Sequence, residues 1–156
     1  FFTNPMNTKM KLKLNTQVKG NYQKIMAAFD RSLFEALKPP FGKMEIVEFT
    51  GSKKGDRVHI KFHSPIKAEW VSDIVEDEMT EDMASFVDVG TKLPWPIATW
   101  THRHIVERVD EDNSMIIDDI SFTGTNLVFS LILFPAIFMG FYPRKKIYQA
   151  YFKKIC

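Results

Sequence analysis

Apolar and polar residues alternate through Met10, Leu12, Leu14 and then Val18, the two-residue period of a half-buried strand. After Gly20 and Asn21 the period becomes helical: Ile25, Phe29 and Leu33 fall on one side, Asn21 stands where a cap belongs, and Pro39-Pro40 stop the run. This predicts two short helices or one bent one. Strand-like runs then follow one another from residue 44 to residue 124: MEIVEFT, RVHIKFH, IKAEWVSDIVED, MASFVDVG, IATWTHRHIVERV and SMIIDDISFTG. Short turns separate them, among them GSKKGD, Ser64-Pro65 and DEDN. Residues 126–155 read as helix, with Tyr148, Tyr151 and Phe152 continuing its apolar side. The predicted order is one strand, a helical insert, five or six antiparallel strands and a long last helix.

That last helix begins with an unusual stretch. No charged residue occurs from Ile120 to Pro143, after which Arg144, Lys145 and Lys146 follow at once. A membrane span with a basic flank would look similar. However, Ser121 to Asn126 belong to a strand end and a turn, which leaves Leu127 to Tyr142, short of a comfortable span. Pro135 in the middle of the block predicts a kink, or a helix that starts near it. A helix apolar all round suits either a bilayer or an enclosing sheet. Because the preceding strands supply a sheet, residues 127–142 are expected to be the gripped helix and the apolar wall of a cavity. Membrane association through 127–142 is the alternative.

The composition fits one globular domain: 156 residues, 45% hydrophobic and 26% charged, with 14 Phe to fill a core or line a cavity. The net charge is only +2 and the basic residues are spread along the chain, so nucleic acid is not an expected partner. The one cysteine, Cys156, excludes an intramolecular disulfide and a Cys-based zinc site, and suits a reducing, cytoplasmic setting. The start, FFTNPMNTKMKLK, has no apolar run of signal-peptide length, and Met6 is a plausible native first residue. Residues 1–9 are expected to be disordered or extraneous, and residues 10–156 to form the single domain.

All four histidines fall in two strand candidates, His59 and His63 in one and His102 and His104 in the other. Strand alternation puts Trp100, His102, His104 and Val106 on one face. A hairpin closed by DEDN would set Val106 opposite Ile116, His104 opposite Asp118, His102 opposite Ile120 and Trp100 opposite Phe122. Three readings fit that face. The two histidines with Asp118 resemble a two-His, one-carboxylate metal site, but the spacing is unspecific and no metal or other cofactor is expected. His104 oriented by Asp118 could act as a general base, although no nucleophile can be placed beside it. The third reading, which is preferred, has these groups satisfying one another inside an apolar cleft and orienting a bound ligand. His59 and His63 are expected in solvated or capping roles, and GSKKGD as a hairpin turn rather than a phosphate loop.

The residues also resemble a known family. An aromatic and an acidic residue two apart (Phe86, Asp88), then W-x-H-x-H (Trp100, His102, His104), then D-x-apolar-x-aromatic (Asp118, Ile120, Phe122), resemble the small bacterial ligand-binding proteins of the SRPBCC superfamily. That superfamily includes START domains, birch-pollen-allergen-like proteins and polyketide cyclase/dehydrases. Arg144, Ile147 and Tyr151 match the pattern of its final helix, and the likeness runs over about residues 10 to 154. Phe122 departs from it, since tyrosine is common there, as does the extreme apolarity of 127–142.

The resemblance implies an α+β helix-grip fold: a curved antiparallel sheet of six to seven strands around a long C-terminal helix, with two short helices after strand 1. It implies a cavity for a small hydrophobic or amphipathic molecule or lipid, lined by Trp70, Phe86, Trp100, Phe122, Phe134, Phe138 and Phe141, with His102, His104 and Asp118 as its polar groups. Binding without catalysis is the favoured function, as carrier, sensor or store, in a monomer or homodimer. A cyclase/dehydrase-like enzyme using His104 and Asp118 on polyketide-like or aromatic substrates is the alternative.

Overall fold

A computed structural model describes residues 9–39 and 41–156. The expectation for the N-terminal segment therefore lies almost wholly outside the described residues. In chain order the elements are β1 (Met10–Lys19), α1 (Tyr22–Ala27), α2 (Arg31–Ala36), β2 (Lys43–Phe49), β3 (Arg57–Ser64), β4 (Ala68–Met79), β5 (Met83–Lys92), β6 (Ile97–Arg108), β7 (Asn113–Gly124), α3 (Leu127–Phe141) and α4 (Arg144–Ile155). Asn21 caps α1 through its side chain, which accepts from the Gln23 amide at 2.9 Å. Asp30 caps α2 in the same way, 3.0 Å from the Leu33 amide, so two short helices form rather than one bent one.

The seven strands make one antiparallel sheet in the order β1-β7-β6-β5-β4-β3-β2. Consecutive strands pair as hairpins, except that β1 closes against β7. Register shifts in β2 and β4, of the kind a bulge produces, increase the local twist and help the sheet curl. The hairpin register expected from DEDN is the observed one, Val106 to Ile116, His104 to Asp118, His102 to Ile120 and Trp100 to Phe122.

Two apolar clusters fill the concave face. One joins Ile25, Phe29 and Leu33 of the insert to Phe86, Val106 and Ile116 of the sheet and to Tyr148 and Phe152 of α4. The other gathers Leu12, Trp100, Ile120 and Phe122, with Leu133, Phe134, Ile137 and Phe141 of α3 packed against it.

The sheet holds the expected C-terminal helical stretch, but its two segments are gripped to different depths. Tyr148 and Phe152 of α4 are completely buried, whereas the only buried residue of α3 is Ser130. The apolar block therefore packs one side against the concave sheet and the cavity and leaves the other side in the open. The reason lies in side-chain direction. In α4 the apolar residues Ile147, Tyr148, Tyr151 and Phe152 form a stripe between lysines, and that stripe turns inward. α3 is apolar on every side, so only one side can be covered. Nor does Pro135 break or start this helix: α3 runs through it, and the chain turns instead at Tyr142-Pro143. Gly124 ends β7 so close to α3 that a Cβ there would lie 2.6 Å from the Ser130 amide. Its N–H donates to Ser130 Oγ at 2.8 Å, which explains the one buried polar residue of α3.

Candidate functional site

The alternation of β5, β6 and β7 brings Phe86, Asp88, Trp100, His102, His104 and Asp118 to one concave surface. The two imidazoles stack, ring centres 3.6 Å apart, and Phe86 stacks on the far side of His104 at 4.1 Å. Stacking turns each ring edge to a diagonal neighbour instead of the residue directly opposite. His102 Nε2 pairs with Asp118 at 2.9 Å, and His104 Nε2 with Asp88 at 2.7 Å. The expected His104–Asp118 partnership is thus replaced by two crossed pairs, a diagonal reach open to long and aromatic side chains.

Burial alone would raise the Asp88 carboxyl, but the hydrogen bond from His104 and the nearby imidazoles outweigh it and hold the group below the ordinary range. Asp118 behaves likewise: burial raises it, and the bond from His102, the charge of that ring and the more distant Arg144 lower it further. His104 is pushed down to about 4, chiefly by burial and then by its neighbour His102, against the opposing pull of Asp88. It is therefore a neutral imidazole near neutral pH. With carboxylate Asp88 accepting at Nε2, the proton sits there, and the Nδ1 lone pair is left buried without a partner.

Behind this layer the Tyr148 hydroxyl donates to Asp118 at 3.4 Å. Burial first, then the Asp118 charge, raises that phenol. Arg144 lies over the Phe141 ring at 4.2 Å.

The crossed pairs form one end of a cavity of about 310 Å³ between sheet and helices. Its wall comes from the insert (Phe29, Leu33, Phe34, Leu37), from the β2–β4 side (Met44, Phe49, Val58, Ile60, Phe62, Trp70) and from α3 (Ala136, Ile137, Gly140, Phe141). Of the residues singled out from sequence, Trp70, Phe86, Trp100, His102, His104 and Phe141 line it. Four do not. Asp118 is buried behind His102, Phe122 is buried against Trp100 and Phe134, Phe134 packs on Phe122, and Phe138 points outward beside Tyr142.

Sequence reasoning passed over the insert side of the wall, Asp88 as the partner of His104, and Arg144 as a lining residue. The signal for Asp88 was available: it sits two residues after Phe86, on the same face. Asp88, His102 and His104 offer three ligand atoms within 4.8 Å of one another. A cation held there would have to displace the 2.7 Å hydrogen bond and leave a protonated His104 Nδ1 buried with no acceptor. The hydrogen-bonded arrangement uses these atoms better.

No protein-family model matches the sequence, and no curated protein does. Solved structures match it over most of its length. A START superfamily protein from Mycobacterium smegmatis has 5% identity and a TM-score of 0.66, over 94% of this chain and 99% of that one. The truncated norcoclaurine synthase of Thalictrum flavum has 14% identity and a TM-score of 0.64, over 88% and 89%. The Zhui aromatase/cyclase of a Streptomyces species has 13% identity and a TM-score of 0.58, over 74% and 68%. The chain has the helix-grip fold and shares it with these proteins. At these identities the likeness is one of fold. Within a helix-grip architecture, the cavity described above is the space between the sheet and the helices it holds, and the crossed His–Asp pairs are its main polar feature.

Proposed function

We propose that this helix-grip domain binds a small apolar or amphipathic molecule in the cavity, with the polar end of the ligand at Asp88 and His104. The observation that carries this reading is the cavity itself. About 310 Å³ of space, walled mostly by aromatic and aliphatic side chains with a few convergent polar groups at one end, is the composition of a small-molecule site. His104 and the carboxylate Asp88 both line the cavity, and the carboxylate favours a donor such as a ligand hydroxyl or amine. The expected cytoplasmic location is part of this reading.

The test uses the full chain with the dye 1-anilinonaphthalene-8-sulfonate as probe, together with native mass spectrometry of protein purified from its own host. Binding of one dye per chain, displaced by co-purified small molecules and abolished by Ile60→Trp, supports the reading. No bound mass, together with dye binding that Ile60→Trp leaves unchanged, rules it out.

One observation favours a second reading. His104 lines the cavity as a neutral imidazole held at Nε2 by a carboxylate, the arrangement of a general base once movement of the ring uncovers Nδ1, so the cavity could also process its ligand. In that case Asp88, not Asp118, is the orienting partner. His104→Ala would abolish turnover of a discovered substrate and Asp88→Asn would reduce it; unchanged turnover in His104→Ala would end this reading.

A further inference from the structure

The outward face of α3 is an apolar surface that the fold leaves uncovered. Leu127, Val128, Leu131, Ile132 and Met139 are each more than half exposed among the described residues, up to 65% at Met139. A helix with this exposure in water is costly unless something covers it. The patch extends beyond the helix. Trp95, 72% exposed, sits edge-on against Phe129 at 4.9 Å, and Ile66, 73% exposed, lies across a shallow groove from Trp95.

We propose that this face docks on the surface of an anionic lipid bilayer, with α3 lying in the plane of the membrane. Three features favour lipid over a protein partner. First, from Leu127 to Phe141 the only polar side chain is Ser130, and it is buried. A protein interface of this size would carry several hydrogen bonds, whereas a hydrocarbon surface asks for none. Second, the ends of the strip carry exposed Trp95 and Tyr142, the amphipathic rings that settle at a headgroup boundary.

Third, charge is divided along the molecule. No Asp or Glu occurs from Ile120 to Cys156, and Lys145 and Lys146 follow the strip directly, neither of them in an ion pair among the described residues. Lys145 donates to the Asn15 carbonyl and Lys146 is exposed, whereas Lys153 and Lys154 lie at the far end of α4, next to Cys156 and the Gly20–Asp112 contact, and take no part. The groove between Ile66 and Trp95 is rimmed by Lys67 and by Lys92, the latter paired with Glu69. The acidic residues gather instead at the β4–β5 and β6–β7 turns (Glu81, Asp82, Asp110, Glu111, Asp112), at the other end of the strands from the start of α3. Anionic headgroups would attract one end and repel the other.

Length fixes the orientation. Fifteen residues of helix reach about 22 Å, short of a ~30 Å hydrocarbon core, and Tyr148 and Phe152 hold the following helix inside the domain. The helix can therefore lie in the interface and cannot cross it. Docking is independent of the ligand reading, although the same helix contributes Ala136 and Phe141 to the cavity wall.

The test is sedimentation of the full chain with vesicles of phosphatidylcholine mixed with phosphatidylglycerol, and with phosphatidylcholine alone. The expected result is binding to the mixed vesicles that weakens with added salt, a blue shift in tryptophan emission, and a loss of about a hundredfold in partitioning for Leu131→Glu/Ile132→Glu. Met139→Glu, at the most exposed position of the strip, serves as a second variant should the double one shift the thermal transition. Failure of the parent chain to bind mixed vesicles, or binding that neither variant weakens, overturns the proposal. So does a stable dimer that the double variant dissociates, since the face would then be covered by a second copy.

Discussion

α3 and α4 are consecutive, similar in length and opposite in fate. α3 has no charged residue and is mostly exposed, while α4 carries five basic residues over Arg144–Ile155 and supplies two of the most deeply buried rings in the protein. Composition therefore does not say which helix a sheet will hold. What decides is whether the apolar residues form a stripe narrow enough to be covered completely, and α4 meets that condition because lysines occupy its other sides. A helix apolar all round always leaves a face unsatisfied unless the structure encloses it or a non-aqueous phase meets it.

The largest expected effect tests this contrast directly. Phe152→Ala should cost about 3–5 kcal/mol in urea denaturation, because a completely buried ring leaves a cavity. A loss comparable to that of an exposed residue would mean that α4 is not the gripped element.

The next concerns the buried imidazole beside Phe29, a ring that also packs on Tyr148 and Phe152 of α4. His104 accepts a proton in the unfolded chain near pH 6.5 but in the folded protein only near 4, so between those values the unfolded state holds more protons. Stability should therefore fall by about 3 kcal/mol as pH drops through that window and be insensitive to this group above it. In His104→Asn the slope of unfolding free energy against pH should flatten, and an unchanged slope would locate the acid sensitivity elsewhere.

Smaller still, Ser130→Ala removes the acceptor for the buried Gly124 amide and should cost about 1–3 kcal/mol, loosening the start of α3 without affecting α4. Hydrogen exchange resolved by helix would show the difference, and equal loosening of both helices would mean that they move as one. The smallest effect belongs to Leu131→Ala and Ile132→Ala, each within about 0.5 kcal/mol by thermal unfolding. A loss above about 2 kcal/mol at either position would show that the outward face is covered in the isolated chain.

Much of this arrangement was legible in the sequence. Period-two runs gave the strands, Asn21 and the two prolines bounded the insert, and the DEDN turn fixed the β6–β7 register residue by residue. Side-chain alternation placed Trp100, His102 and His104 correctly on one face. Pairing within that face was not legible. Register names the residue opposite, but the lean of two stacked rings chooses the diagonal, and this exchanged Asp118 for Asp88 as the partner of His104. The insert's share of the cavity wall was equally hidden, since it depends on how α1 and α2 dock over the open end of the sheet. The unequal burial of the two segments of the last helix had the same origin. Hydrophobicity was read as burial, although the amphipathic stripe of Tyr148 and Phe152 was present a few residues later.

The topology has a further consequence, for the newborn chain. Of these seven strands β1 leaves the ribosome first, and its neighbour in the sheet among the described residues is the one made last, with Met10 waiting for Phe122. At about 5–20 residues per second that wait is on the order of ten seconds, during which the alternating Met10, Leu12 and Leu14 have no ladder to join. Closing so distant a contact is also slow for any chain that must search for it. Assembly of this domain should therefore end with the docking of β1, and its unfinished forms should expose a strand edge and be clients for chaperones.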